Sequence, residues 1–368
     1  MNDMTRLTED AALEHVSGVC FKTGPPRRVG VELEWFPRDT RDPERLPAAD
    51  HLLKAFDKAA DLPLDGALSI EPGGQWELSS RPAETVQDLI AVTDRDMALL
   101  RDSAEEDGLR LVGTGHESQH PPRRILDSPR YTAMEEYFDR DGPWGRAMMC
   151  STASIQINLD AGTDDDGPSG FRHRWRLAHL LQPVLAAAFG RSSRRDVWAR
   201  LDPSRTLPPP LDTPDPRLAY AHYALDARLL CVRQPDGVPW TAPRDTTFRD
   251  WLRADGPRPV TLEDLDYHLT TLFPPVRARG HFELRTIDAL PRDLWHVPVA
   301  FVAGLFDDPL AADQAMTELG ARRTPHAPLR NAVAACFDIA GTALSRSGAP
   351  RSLREEVTRY AEEEISWN

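Results

Sequence analysis

Four stretches of this chain alternate apolar and polar residues with a period of two, and their polar positions carry mostly acids, amides and glycine. A β-strand turns successive side chains to opposite faces, so each stretch reads as a strand with one face in a core and one outside it. In 152–160, Ile155, Ile157 and Leu159 oppose Ser154, Gln156, Asn158 and Asp160. In 28–36, Val29, Val31, Leu33 and Trp35 oppose Gly30, Glu32, Glu34 and Phe36. In 280–288, Phe282 and Leu284 oppose His281, Glu283 and Arg285, and 70–79 reads as a further strand. Strands of a parallel sheet are buried on both faces and read as continuous apolar runs, which these are not. The pattern predicts an α+β fold, an antiparallel sheet with helices on its apolar side and the other side open.

Helical periodicity fills much of the remainder. Val86, Leu89, Ile90, Thr93, Met97 and Leu100 form one stripe over 84–107, ending at Gly108. Residues 171–189 are apolar on more than one side, which predicts a buried helix. Helices are also expected over 218–232 and 331–344, with an exposed terminal helix over 351–365. The proline-rich stretches near 203–216 and 235–244 read as surface loops. No shift in composition divides the chain, so it reads as a single domain over residues 1–368.

A formal net charge of -14 argues against nucleic acid or a membrane surface as a general partner. No apolar run approaches the roughly eighteen residues of a membrane span. The charged start, MNDMTRLTEDAALEHV, lacks the apolar core of a secretory signal, so a cytoplasmic protein is expected. Cys20, Cys150, Cys231 and Cys336 lie far apart and are expected as reduced thiols rather than a zinc site or a disulfide framework. The chain has no P-loop, no glycine-rich dinucleotide fingerprint, no GxSxG and no HExxH.

The acids on the polar faces carry more information. Glu32, Glu34, Glu71, Glu77, Asp160 and Glu283 recur from strand to strand, where a solvated face ordinarily mixes Lys, Thr, Glu and Arg. Clustered carboxylates raise one another's pKa unless a cation compensates. Such clusters suit magnesium, which takes carboxylates together with water and substrate phosphates. Glu32 and Glu34 alone also describe a surface pair; repetition across strands is what distinguishes them. In Glu71-Pro72-Gly73-Gly74-Gln75-Trp76-Glu77, the adjacent glycines describe a bend that turns Glu71 and Glu77 into one pocket, or else a plain hairpin turn. Arg285 shares a face with Glu283, as a phosphoryl-transfer pair or as a same-strand ion pair.

The segments VGVELEWF (29–36), EPGGQWELSS (71–80), MMCSTASIQINLD (148–160) and HFELRTIDALP (281–291) resemble the plant-type glutamate–cysteine ligase family. Within it the resemblance is greatest to the actinobacterial branch that serves ergothioneine synthesis. SPRYTAMEEYF (128–138), SRRDVWARLDPSRT (193–206), YALDA (223–227) and DLDYHLTTLFPPVRARG (264–280) extend it in order. The resemblance implies a glutamine-synthetase-like catalytic fold, a curved antiparallel sheet with helices packed on the convex face. It implies ATP and Mg2+ as cofactors, with glutamate and cysteine joined through a γ-glutamyl phosphate to give γ-glutamylcysteine. It further implies that Glu32, Glu34, Glu71, Glu77 and Glu283 hold magnesium. Arg285 then contacts the transferred phosphoryl group, with Glu34 and Glu77 taking part in catalysis beside it. Gln156 and Asn158 line the same funnel, and Arg195 and Arg205 bind substrate carboxylates. Gly190-Arg191-Ser192-Ser193 departs from the Asn-Ser-Pro stretch common in the family. A ligase of the same chemistry with another amine acceptor is the alternative, and the sequence fixes no oligomeric state.

Overall fold

The computed structural model describes residues 7–254, 258–291, 294–320 and 329–364. Its centre is an antiparallel sheet of β1 (Val29–Asp39), β2 (Ala67–Ile70), β3 (Trp76–Ser79), β4 (Leu109–Val112), β5 (Ser154–Asp160), β6 (Val276–Ala278) and β7 (His281–Asp288). The order is β2-β3-β1-β5-β7-β6, with β4 paired to the far end of β1. The apolar alternation becomes one buried face. Val29, Val31 and Leu33 of β1, Ile155, Ile157 and Leu159 of β5, and Phe282, Leu284 and Ile287 of β7 are each no more than 2% exposed. Burying a side chain of this size contributes about 1.5–3 kcal/mol, so this face fixes the register of the strands.

Helices cover that face. The helix Phe171–Phe189 occupies the expected span and packs on β7. Its one deeply buried cation, Arg174, donates to the carbonyls of Phe306 and Asp160, which satisfies the guanidinium without a carboxylate contact. The helix Val86–Glu106 starts where the Thr85 hydroxyl accepts from the amide of Asp88, a side-chain N-cap. Both helices, with His296–Phe306 and Leu329–Arg346, belong to the same apolar core as the sheet. Among the described residues, no helix is long and apolar enough to cross a membrane.

The structure departs from the sequence reading at several points. The stretch 70–79 is two strands, because Glu71–Gln75 closes as a tight turn. The Glu71 amide donates to the Gln75 carbonyl, and Gly74 adopts φ 93°, which only glycine takes without strain. The helix expected over 218–232 is Pro216–Asp226, started by an Asp215 cap. Beyond it Ala227 is extended, and Arg228 and Cys231 pair with Thr247 and Thr241. The last helix, Arg351–Arg359, continues as a wider turn over Tyr360–Glu364; it buries a stripe of Leu353, Val357 and Tyr360 and exposes Arg351, Ser352, Glu355, Thr358 and Arg359, so the expected exposed helix is amphipathic. Its expected end, Ile365, lies outside the described residues.

Phe36, expected on the polar face, is buried against Ala153 and Ala289 where β1 runs on to meet β4. Nor is the polar side simply open. The helices Pro129–Phe138, Trp144–Ser151 and Arg194–Trp198 build a second small core around Met134, Tyr137, Met149 and Val197, and their inner residues wall that face.

Candidate active site

Strand register brings the acids together. Glu34 of β1 stands directly opposite Glu77 of β3, Glu32 opposite Gln156 of β5, and Asn158 opposite Glu283 of β7. Like charges directly opposite across a strand pair are destabilising, so the Glu34–Glu77 pair is maintained against local cost. Glu71, in the β2–β3 turn, joins them. Glu32, Glu34, Glu71 and Glu77 all line one cavity of about 300 Å³.

The turn that carries Glu71 is clamped from behind. Gln75, buried at 1%, donates through Nε2 to the carbonyls of Thr152 (2.8 Å) and Met149 (3.4 Å). Gly73 meets the same segment, and a Cβ there would lie 2.3 Å from the Cys150 carbonyl oxygen. Gly73→Ala is therefore expected to destabilise the protein by about 1–3 kcal/mol, read as a lowered melting temperature. Cys150 itself is inert packing, since burial pushes its thiol up to about 12.

Hydrogen bonds orient part of the acid cluster. Glu34 accepts from the Ser154 amide (2.8 Å), the Ser154 hydroxyl (3.0 Å) and Gln156 Nε2 (2.9 Å). Asn158 Nδ2 donates to Glu32 at 3.1 Å, and the Ser69 hydroxyl donates to Glu77 at 3.0 Å. Those bonds do not offset burial. Burial, then repulsion from Glu34, lifts Glu71 to about 7. Burial, then Glu71, Glu34 and Glu32, lifts Glu77 well above the usual carboxylate range. Burial also raises Glu34 and, together with the charge of Glu283, Glu32. The cluster is short of positive charge on its own side.

The opposite wall is cationic. Arg130, Arg194, Arg277, Arg279 and Arg285 line the cavity together with Trp198 and Phe273. Arg285 donates to Gln156 Oε1 and pairs with Glu283. Its position follows from an irregularity in the sheet. The β5–β7 register shifts between Ile155 and Ile157, so Gln156 faces both Arg285 and Thr286. One residue opposed by two is the count of a β-bulge, a device that re-aims a side chain beside a site. Arg194 donates Nη2 to the Arg285 carbonyl at 3.0 Å, and the Trp198 ring packs against both guanidiniums. Among the described residues, the Nε atoms of Arg194 and Arg285 are buried and find no hydrogen-bond partner, which leaves donors for an anion.

Three of the expected residues do not reach the cavity, and one stands behind its lining. Glu283, expected as a metal ligand, is fully buried behind the arginine wall. Burial alone would raise its pKa, but Arg277, Arg285 and Arg279 hold it well below the usual range. Asn158 does not line the cavity and meets it through its hydrogen bond to Glu32. Arg205 is wholly enclosed and donates to Asp202, to the carbonyls of Thr271 and Arg228, and to the Tyr137 hydroxyl. Arg195 is exposed on the outside of its short helix, and the preceding residue, Arg194, is the one turned inward. Helical phase decides between them, and two adjacent arginines do not reveal it. Arg277 and Arg279 were missed although their two-residue spacing in PPVRARG is a strand signal; β6 is only three residues long. Arg130 sits at the start of its helix, in SPRYTAMEEYF, where nothing local marks it.

Among the described residues, no group of three or more His, Cys, Asp or Glu side chains is arranged to hold a metal ion by itself. The donors nevertheless fit magnesium, which commonly uses one or two carboxylates and completes its shell with water and phosphate oxygens. A wall of under-compensated carboxylates facing a wall of guanidiniums suits a polyanion and the cation that travels with it.

The Glutamate-cysteine ligase family 2 model matches residues 28–340. Glutamate–cysteine ligase EgtA of Mycobacterium tuberculosis is 38% identical over 335 residues, covering 86% of this chain and 76% of that protein. Its counterpart in Mycolicibacterium smegmatis is 39% identical over 324 residues, covering 83% and 75%. In fold, the crystal structure of a glutamate–cysteine ligase from Francisella tularensis in complex with AMP superposes with a TM-score of 0.53 at 13% identity, covering 93% of this chain and 83% of that one. The fold shared with that structure and the match over most of the sequence agree: this chain belongs to glutamate-cysteine ligase family 2.

Proposed function

We propose that this protein is an ATP-dependent glutamate–cysteine ligase of a single catalytic domain, working in the cytoplasm and making γ-glutamylcysteine for ergothioneine synthesis. The observation that carries this reading is the cavity in which Glu32, Glu34, Glu71 and Glu77 face Arg130, Arg194 and Arg285. Those four carboxylates would hold magnesium, whose chemistry here is to neutralise phosphate charge and align the γ-phosphate. Arg285 meets the phosphoryl group in transfer. Arg194 binds a carboxylate of glutamate, the role the sequence had suggested for Arg195 and Arg205. Glu283 positions the arginines rather than binding metal.

A γ-carboxylate oxygen of glutamate attacks the γ-phosphorus, the bond to the β-phosphate oxygen breaks, and ADP leaves. The cysteine amine then attacks the acyl carbon, phosphate departs and the nitrogen loses a proton. No enzyme nucleophile takes part, in keeping with the absence of a nucleophile motif. The four cysteines of the chain are free thiols, which suits a reducing compartment. Incubation with ATP and magnesium should release ADP and phosphate when glutamate and cysteine are both present. A panel of amines in place of cysteine tests the acceptor, and ADP release indifferent to cysteine would sink this reading.

The same carboxylates set a pH response. Glu71 binds its proton more tightly in the folded protein than unfolded, so the folded state holds the extra proton between the ordinary value of 4.5 and about 7. The associated stability is present below that window and is lost as pH rises through it. In a chelator, the melting temperature should fall by a few degrees from pH 5 to pH 8, and magnesium should restore most of the loss at the upper end. A melting temperature that rises over that window in chelator would contradict it.

A further inference from the structure

We infer that Asp288 is a positioning residue that holds the loop 190–194 so that Arg194 stands in the cavity beside Arg285. This rests on the reading of Arg194 as a substrate-carboxylate arginine. Asp288 ends β7 and is 2% exposed. Its Oδ2 accepts from the Arg191 amide (3.0 Å), the Ser192 amide (2.9 Å) and the Ser192 hydroxyl (2.7 Å). The Ser192 hydroxyl oxygen in turn accepts from the Arg194 amide at 3.2 Å. The other oxygen, Oδ1, lies 3.9 Å from Arg194 Nη1. One carboxylate therefore fixes the backbone that delivers Arg194 and faces its charged head.

Charge balance alone does not require this arrangement, because Glu34 also faces the Arg194 guanidinium. Three hydrogen bonds directed at the loop, rather than at the guanidinium, are the mark of placement. A third segment closes the contact. Gly115 lies where a Cβ would stand 2.3 Å from Asp288 Cγ and 2.5 Å from Ser192 Oγ. Its carbonyl accepts from the Ala153 amide at 3.1 Å, which ties it to the start of β5. Packed this closely, the Asp288 carboxylate has no room to swing aside. A single strand thus sets both arginines: β7 places Arg285 directly, at its bulge, and Arg194 through Asp288.

The test is steady-state ADP release by the full chain, varying glutamate, cysteine and ATP separately, with a melting curve for each variant. Asp288→Asn keeps the shape and one acceptor oxygen but removes the charge facing Arg194. It should raise KM for glutamate about tenfold with kcat within about threefold and KM for ATP unchanged. Combined with Arg194→Ala, it should add nothing to the effect of Arg194→Ala alone, since both act through one group. Ser192→Ala removes two hydrogen bonds, the hydroxyl's donation to Asp288 and its acceptance from the Arg194 amide, and should raise the same KM about threefold; it decides the matter if Asp288→Asn does not fold. A lowered melting temperature and active fraction with an unchanged glutamate KM would make Asp288 merely structural and overturn the inference, as would multiplicative effects in the double variant. If Arg194→Ala itself leaves glutamate KM unchanged, the assignment of Arg194 falls first.

Discussion

Replacing Arg285 by alanine is expected to lower kcat for glutamate- and cysteine-dependent ADP release about a thousandfold, with a much smaller change in KM for glutamate. The guanidinium is aimed into the cavity by the bulge opposite Gln156, and its Nε finds no partner among the described residues. A charge held there in advance acts mainly where negative charge moves, in the transition state, so the loss appears in kcat. The variant should still fold. Glu283 keeps Arg277, which donates to it through Nε (3.1 Å) and Nη2 (2.8 Å), so its buried charge is not abandoned. Stopped assays over a range of glutamate concentrations check this. A rise confined to KM for glutamate would move Arg285 out of phosphoryl transfer and into substrate binding.

Glu34→Gln should cost a similar amount, about a hundredfold to a thousandfold in magnesium-dependent turnover, with little loss of stability. Glu34 lies at the centre of the acid cluster, and its charge helps raise both Glu71 and Glu77. An amide keeps one acceptor for the donors of Ser154 and Gln156 while removing a buried charge that its neighbours oppose. The melting temperature without magnesium should therefore hold or rise, and the protection given by magnesium should shrink. Near-normal turnover at saturating magnesium would remove Glu34 from the metal-facing set.

Legibility in the sequence tracked how local each cause was. Glu32 and Glu34 were found because strand alternation is a property of consecutive residues. Arg194 was missed for Arg195 because the phase of a five-residue helix is set by what it packs on. Arg205 was expected as a ligand from the family resemblance of SRRDVWARLDPSRT. Its partners at Thr271 and Arg228 are distant in sequence, and only folding shows that its donors are already used.

The sequence by itself determined the chemistry on offer: which faces of β1, β3, β5 and β7 are apolar, which carry acids, and that the chain is of this ligase family. Hydrophobic alternation does this because slipping a strand by one residue would expose its whole buried face. Tertiary structure alone decided which charges meet. Register set Glu34 against Glu77, the β7 bulge gave Arg285 to the cavity and Ile287 to the core, and the arginine layer enclosed Glu283 behind the cavity lining. The reason is physical. Burial of apolar side chains depends on local period, whereas the energy of a buried charge depends on every other charge within a few ångströms, and those come from all along the chain.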